Sequence, residues 1–366
     1  MKIINLQDKN LFYIGGVVRD ELLGKESFDV DLTYVGNAIE FAKTIPGAEI
    51  LRVNEPFGTV RIKLNDQEID IASTRSEIYP QKGHLPKVQD IGCSLKEDVL
   101  RRDFTINALA KSTLTGEIVD YTGGLDDIKN KILRVLHDKS FVDDPTRIVR
   151  ALKFSIRFGF GLDETTKKLQ DEYLKNINYD MSYKRLKKEL VETFNLNSQS
   201  AFEKFINEGI YKLVSAKSFE LPKVNFEHLI REFAPENIWI IYVGLLPDIS
   251  ALPLTKVEKK IVDDFNKLKN NKTFDSDFEI CKAFEGLNLE TIIMFFSINK
   301  DVVEKYLYKL RNIKIEITGK DLVEMGINPS SKYQQCFDFI LEYKLKNPEL
   351  NKVQEMELAK QFFEII

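Results

Sequence analysis

The stretch Leu11-Phe12-Tyr13-Ile14-Gly15-Gly16-Val17-Val18-Arg19-Asp20 leads through Asp29-Val30-Asp31 to Val35, and its reading decides the fold. Leu11–Ile14 is a short apolar run ending at two glycines, and Val17–Leu23 has helical character until Gly24 stops it. Ser27–Val35 then alternates, with Phe28, Val30 and Leu32 on one face and Asp29, Asp31 and Thr33 on the other. A strand, a glycine turn, a helix and a half-buried strand describe mixed α and β structure. Gly15 and Gly16 let backbone approach a ligand, and the helix start behind them offers N–H groups to an anion that Arg19 could also reach. A glycine pair by itself equally makes a plain turn.

The two carboxylates of Asp29 and Asp31 share a strand face, where they repel unless a cation lies between them. Hard oxygen ligands on a rigid strand suit Mg²⁺, which leaves coordination positions for water and phosphate. A solvated strand face accounts for this pair as well. Working outward, Thr59–Leu64, Glu68–Ile71 and Glu117–Tyr121 read as further strands. In Glu68–Ala72, Asp70 alternates with Ile69 and Ile71 and so points away from the apolar side. Asp29, Asp31 and Asp70 on neighbouring strands could hold two metal ions for in-line phosphoryl transfer, or Asp70 could be an ordinary exposed residue.

Two more segments carry charge in a pattern. In Arg101-Arg102-Asp103-Phe104-Thr105-Ile106-Asn107 the arginines could clamp phosphate and Asn107 could bond a sugar hydroxyl, although such residues are common on surfaces. In Asp143-Asp144-Pro145-Thr146-Arg147, the Asp-Pro step starts a helix read over Asp143–Phe158, so Asp144 is at least an N-cap. Asp144, Arg147, Arg150 and Lys153 recur every third residue as a polar ridge, anchored by a stripe of Ile148, Leu152 and Ile156. An acceptor and a donor in one ridge can read a base edge.

Beyond Gly124 strand patterns fade. Helices are expected at Glu164–Lys175, Ser182–Phe194 and Ser200–Glu208, with linkers at Asn195–Ser200 and Lys269–Asp277. The chain has 366 residues, 43% of them hydrophobic, enough for several cores. Its net charge is −4, which alone disfavours nucleic acid. Lys129–Leu190 nevertheless holds fifteen Lys/Arg against nine Asp/Glu, a basic band that can attract phosphate or simply solvate helices. Cys93, Cys281 and Cys336 are odd in number and widely spaced, so no disulfides and a reducing cytoplasm are expected. The opening lacks a signal pattern, and the longest strongly apolar run, Ile238–Leu246, is too short for a membrane span.

Taken together, these segments closely resemble the class II tRNA nucleotidyltransferase and bacterial poly(A) polymerase family. The matching pieces are GGVVRDELLG with DVD (Gly15–Asp31), RRDFTINALA (Arg101–Ala110), GGLDDIKNKILRVL (Gly123–Leu136), DDPTRIVRALKF (Asp143–Phe154) and SYKRLKKEL (Ser182–Leu190). They stand in the family's order, and Ile317–Ser330 echoes its tail. The resemblance implies an α+β chain: a mixed-sheet nucleotidyltransferase head at 1–122, then an all-helical neck at 123–195, body at 196–316 and tail at 317–366. It implies Asp29 and Asp31 as metal ligands. Gly16, Arg19 and Arg102 would contact the triphosphate, with Asp103 and Asn107 near the sugar. Asp144 and Arg147 would pair with the incoming base, and Arg150 would bind phosphate. The implied substrates are CTP and ATP, added as C, C and A to the 3′ end of tRNA.

This sequence departs from the family pattern at Asp143, where Glu is usual, at Lys153 for Arg, at Lys184 for Glu and at Ser330 for Gly. Ser73–Val88 resembles the family's flexible loop, which assists the switch from CTP to ATP and argues against a CC-only enzyme. Complete CCA addition is therefore the leading expectation. A-only or CC-only addition, polyadenylation and a catalytically silent RNA-binding protein are the alternatives. The acidic pI of about 5.7 disfavours the polymerase, and the carboxylates disfavour the silent binder. His84, His137 and His228 are scattered, which leaves a phosphohydrolase unsupported.

Overall fold

The computed structural model describes residues 6–26, 30–270, 273–328 and 331–365. They divide into one compact unit of Met1–Phe219 with Ser250–Pro253, and a second of Glu220–Ile249 with Leu254–Ile366. The first unit contains β1 Leu11–Ile14, α1 Gly16–Leu22, β2 Asp31–Tyr34, α2 Ala38–Lys43, β3 Glu49–Asn54, β4 Thr59–Leu64 and β5 Gln67–Ser73. It continues through β6 Arg75–Ile78, β7 Lys87–Ile91, α3 Leu95–Leu100, β8 Leu109–Ser112, β9 Ile118–Asp120 and α4 Gly124–Asn130. Helices follow: α5 Ser140–Asp143, α6 Thr146–Phe158, α7 Glu164–Lys175, α8 Tyr183–Phe194 and α9 Ser198–Asn207. A two-residue parallel pair, β10 Ile132–Leu133 with β11 Gly161–Leu162, interrupts this helical part.

Among the described residues the main sheet has seven strands in the order β3-β4-β5-β2-β1-β8-β9. Only β2 and β5 run parallel within it, and their register sets Asp31 directly beside Asp70. One sheet face is closed by α1 and α2 over a core of Val17, Val18, Leu32, Ala38, Val60, Ile62, Ile69 and Ile71. Each large aliphatic side chain buried there contributes about 1.5–3 kcal/mol. Asn37 starts α2 by accepting from the Ile39 and Glu40 amides, and buried Ser73 Oγ accepts from the Ala38 amide at 2.9 Å.

Several elements differ from the sequence expectation. The strand expected over Ser27–Val35 is seen from Asp31, residues 27–29 lying outside the described ones. β3 goes unread because all its side chains meet solvent: Ile50, Leu51 and Val53 on this edge strand are 39–41% exposed, so burial imposes no alternation. Ser73–Val88 is not an open loop throughout; β6 and β7 pair antiparallel as a hairpin. The linker over Asn195–Ser200 shrinks to Asn195–Asn197, because Asn197 caps α9 by accepting from the Ser200 amide.

The second unit is helical: α10 Glu227–Phe233, α11 Ile238–Val243, α12 Lys256–Leu268, α13 Asp277–Phe284, α14 Leu289–Phe295, α15 Lys300–Tyr308, α16 Gly319–Glu324, α17 Tyr333–Lys346 and α18 Lys352–Ile365. Phe284 sits at its centre, edge-on to Phe274, Phe295 and Tyr306. Toward the C-terminus a smaller cluster of Ile317, Leu322, Cys336, Ile340 and Ala359 forms its own core. Buried Glu355 accepts from the Glu316 and Ile317 amides and from Lys344, so a carboxylate clasps the chain where that cluster begins. No helix among the described residues is long and apolar enough to cross a membrane.

Candidate active site

The described residues proposed from the sequence for metal, nucleotide and base binding all lie in the first unit. Gly15 has φ +71°, a left-handed conformation that costs glycine little. A Cβ on Gly15 would lie 2.8 Å from Arg102 Nη1, and one on Gly16 would lie 3.5 Å from Arg19 Nη2. Two guanidiniums thus flank the glycine turn, and the space beside it belongs to them. Arg102 donates from Nη2 to Asp98 at 3.3 Å, while its buried Nε has no partner among the described residues. An orphaned donor beside a glycine turn suits an anionic ligand.

Arg19 is held differently. Its Nε and Nη2 donate to Asp20 at 2.8 and 2.7 Å, its Nη1 donates to Asn107 Oδ1, and its guanidinium lies against the Phe154 and Phe158 rings. Asn107 Nδ2 in turn donates to Asp103 Oδ1 at 2.9 Å. Arg150 reaches Asp103 Oδ2 from Nε at 2.8 Å and Nη2 at 2.6 Å, and Glu189 from Nη1 at 3.0 Å. Lys153 completes the chain, donating to Glu189 at 2.6 Å and Glu192 at 2.7 Å. Burial pushes the Asp103 carboxyl up, but the Arg150 guanidinium overrides it and holds that carboxyl well below the usual carboxylate range.

The helix expected over Asp143–Phe158 breaks in two. Pro145 disfavours helical backbone at the residue before it, so α5 ends at Asp143, Asp144 is extended (φ −143°, ψ 90°), and α6 begins at Thr146. Asp144 still caps: its Oδ1 accepts from the Thr146 amide at 3.2 Å and hydroxyl at 2.6 Å. Its Oδ2 accepts from Arg185 Nη2 at 2.5 Å. Arg147 donates from Nη1 to Ser140 Oγ at 2.7 Å, and from Nη2 to the Arg101 carbonyl at 3.1 Å and the Tyr79 hydroxyl at 3.3 Å. Asp144 and Arg147 are each only 4% exposed, so the first half of the polar ridge faces inward while Arg150 and Lys153 are partly exposed. Ile148 and Leu152 anchor the other face.

On the sheet, Asp31 and Asp70 are Cα partners across the parallel β2–β5 pair, so both carboxylates stand on the same, solvent-facing side. Arg61, opposite Asp70 on β4, donates Nε to Oδ1 at 2.8 Å and Nη2 to Oδ2 at 2.7 Å. The set of two hard-oxygen side chains fits a divalent cation, with Arg61 competing for Asp70. Asp29 lies outside the described residues, and no group of three metal-binding side chains assembles among those described. Cys93, Cys281 and Cys336 are free thiols.

Residues 11–134 match the family model described as the poly A polymerase head domain. Over 94% of its length the chain is 31% identical to the CCA-adding enzyme of Bacillus pumilus, covering 91% of that protein. The chain belongs to the tRNA nucleotidyltransferase family. It is also 35% identical, over 93% of its length, to the A-adding tRNA nucleotidyltransferase of Aquifex aeolicus, of which it spans 45%. Its fold superposes on the Thermotoga maritima CCA-adding enzyme complexed with tRNA at a TM-score of 0.77 and 25% identity, covering 96% of this chain and 91% of that one.

In this nucleotidyltransferase the pairwise partners of the site residues were the part that sequence reading missed. Arg185 and Glu189 stand four residues apart on α8, on one helix face; Arg185 holds Asp144 just before α6, and Glu189 holds Arg150 and Lys153 on it. Their spacing was a usable signal. Tyr79 and Ser140 offered none, since single hydroxyls outside any pattern identify nothing until the chain folds. The scattered histidines are not all solitary either: His84 Nε2 lies 3.0 Å from Asp180.

Proposed function

We propose that this nucleotidyltransferase completes the 3′ end of tRNA in the cytoplasm, adding C, C and A from CTP and ATP with release of pyrophosphate. The observation that carries the reading is the buried Asp144 and Arg147 at the start of α6, each with unspent hydrogen-bonding valence. Asp144 accepts three donors, and an ionised carboxylate has roughly four acceptor positions, so one more donor fits. Arg147 has spent three of its roughly five N–H groups, leaving two to give. Cytosine and adenine each present an exocyclic amine beside a ring-nitrogen acceptor, which complements that remaining valence. Uracil and guanine present a carbonyl where the amine should be, and two acceptors facing each other in a buried site are costly.

The same reading assigns the other roles. Gly15, Gly16, Arg19 and Arg102 would receive the triphosphate, Arg102 with its unspent Nε. Asn107 keeps one amide hydrogen for a sugar hydroxyl, while Asp103 orients Asn107 and Arg150. Arg150 and Lys153, each already paired with carboxylates, would act mainly by holding α6 against α8. Asp29, Asp31 and Asp70 would hold Mg²⁺, which supplies activation of the tRNA 3′ hydroxyl and charge neutralisation of the leaving pyrophosphate. Arg61 must yield Asp70 for that carboxylate to take part.

A second reading, addition of the terminal A alone, is favoured by the 35% identity to the Aquifex A-adding protein. The test uses tRNA ending at the discriminator base, in C or in CC, with each NTP and Mg²⁺. Stepwise extension of all three substrates by C, C and A is expected. Extension only of the CC form by ATP selects the second reading, and no extension of any substrate overturns both.

A further inference from the structure

We propose that Tyr79 is a positioning residue that aims Arg147 at the incoming base and thereby sets base selectivity. This rests on the reading of Asp144 and Arg147 as the base-pairing pair. Tyr79 directly follows β6, in the connection to β7, and both sides of it are tied down. On one side, Arg75 donates to the Phe57 carbonyl at 2.9 Å and to Glu77 at 2.8 Å. Glu77 also accepts from Arg101 at 3.0 Å, and Arg101 donates to buried Asp98. Strand β6 is thereby fastened to α3, whose following residue lends its carbonyl to Arg147.

On the other side, the turn is seated on the helical part. The Gly83 amide donates to the Asp143 carbonyl and the Gly83 carbonyl accepts from the Ser182 amide, both at 2.9 Å. Gly83 has φ +80°, and a Cβ there would lie 2.7 Å from the Asp180 carbonyl, so glycine alone permits this seat. Gln81 and His84 close on the Asp180 carboxylate at 3.0 Å each. Between these two anchors the Tyr79 hydroxyl accepts from Arg147 Nη2 at 3.3 Å. Burial raises the phenol above its ordinary value, so it stays a neutral acceptor for the guanidinium at physiological pH.

The consequence is directional. Ser140 and the Arg101 carbonyl take one hydrogen from each terminal nitrogen of Arg147, and Tyr79 takes the second from Nη2. With all three acceptors present, both Nη2 hydrogens are taken, and only the Nε–H and one Nη1–H remain to donate. Without Tyr79, Nη2 regains a hydrogen that can satisfy a carbonyl on the wrong base.

The experiment is Tyr79→Phe in the full chain, which removes one oxygen. Single-nucleotide incorporation is measured with all four NTPs on tRNA lacking its CCA end, beside Asp144→Ala. The preference for CTP over UTP and ATP over GTP should fall about three- to tenfold in Tyr79→Phe. For CTP and ATP, kcat should fall more than KM rises, and the thermal midpoint should drop by no more than about 5 °C, as expected for one lost buried acceptor. A Tyr79→Phe enzyme with the parent's ratios, where Asp144→Ala has lost them, overturns this inference alone. If Asp144→Ala also keeps the parent's ratios, the base-pairing reading itself falls.

Discussion

The carboxylate face of the sheet and the charged surroundings of α6 solve opposite electrostatic problems within one unit. Asp31 and Asp70 stand on a solvent-facing strand pair, and the Arg61–Asp70 pair is about half exposed, with side chains at 47% and 52%. Water screens such a pair, so it adds little stability and exchanges readily for a cation. Around α6 the charges are more withdrawn from water, with side chains 5–30% exposed, and they pair with one another: Asp103 with Arg150, Arg185 with Asp144, Glu189 with Arg150 and Lys153. There a lost partner leaves a desolvated charge, which is expensive. On the proposed metal role, the difference teaches that groups taking up an ion are kept wet, while groups keeping one shape are held further from water.

Substitution separates the two regions, beginning with the largest effect. Asp31→Ala should lower nucleotide incorporation at least about a thousandfold, because several kcal/mol of charge stabilisation are lost. Its thermal midpoint and its affinity for tRNA should stay close to the parent's. A variant that turns over normally in Mg²⁺ would break the comparison at its exposed end.

Asp144→Ala tests the dry end and should show both kinds of damage. Its preference for CTP and ATP over UTP and GTP should fall about tenfold. Stability should also fall by about 1–3 kcal/mol in urea unfolding, since Arg185 and Thr146 lose their acceptor. Selectivity lost with no change in the urea midpoint would mean the surrounding network contributes nothing.

Acid should discriminate between the regions more gently. The folded Asp103 carboxyl sits below its unfolded value near roughly 3.9, so the stability it adds is fully present above that pH. That contribution is lost as pH falls below about 4 toward the folded value. The difference in thermal midpoint between the parent and Asp103→Asn should therefore be constant from neutral pH down to about 5 and shrink below 4. A difference that stays constant through that window would show that Asp103 carries no linked proton.

The smallest effect belongs to Arg61→Gln. Removing the competitor for Asp70 should lower the Mg²⁺ concentration giving half-maximal CTP incorporation by a few-fold, leaving the urea midpoint within about 0.5 kcal/mol. An increased Mg²⁺ requirement would instead make Arg61 an organiser of the carboxylate face.

Much of this molecule could be read from local pattern. The run Leu11–Ile14, the glycine pair, the alternation of Glu68–Ile71 and the length of Glu164–Lys175 correspond to observed elements, because each expresses a periodicity imposed on a single segment. The order of motifs likewise pointed to the family that the comparisons bear out. Tertiary structure decided the rest. Which carboxylate meets which guanidinium depends on residues 41 apart for Asp144 and Arg185, and 47 apart for Asp103 and Arg150. Tyr79 reaches Arg147 across 68 positions, and only because the turn beyond it rests on Asp143 and Ser182. A sequence states the valence of each side chain, but the partner that uses it is chosen by packing, and burial then decides whether the bond is worth anything.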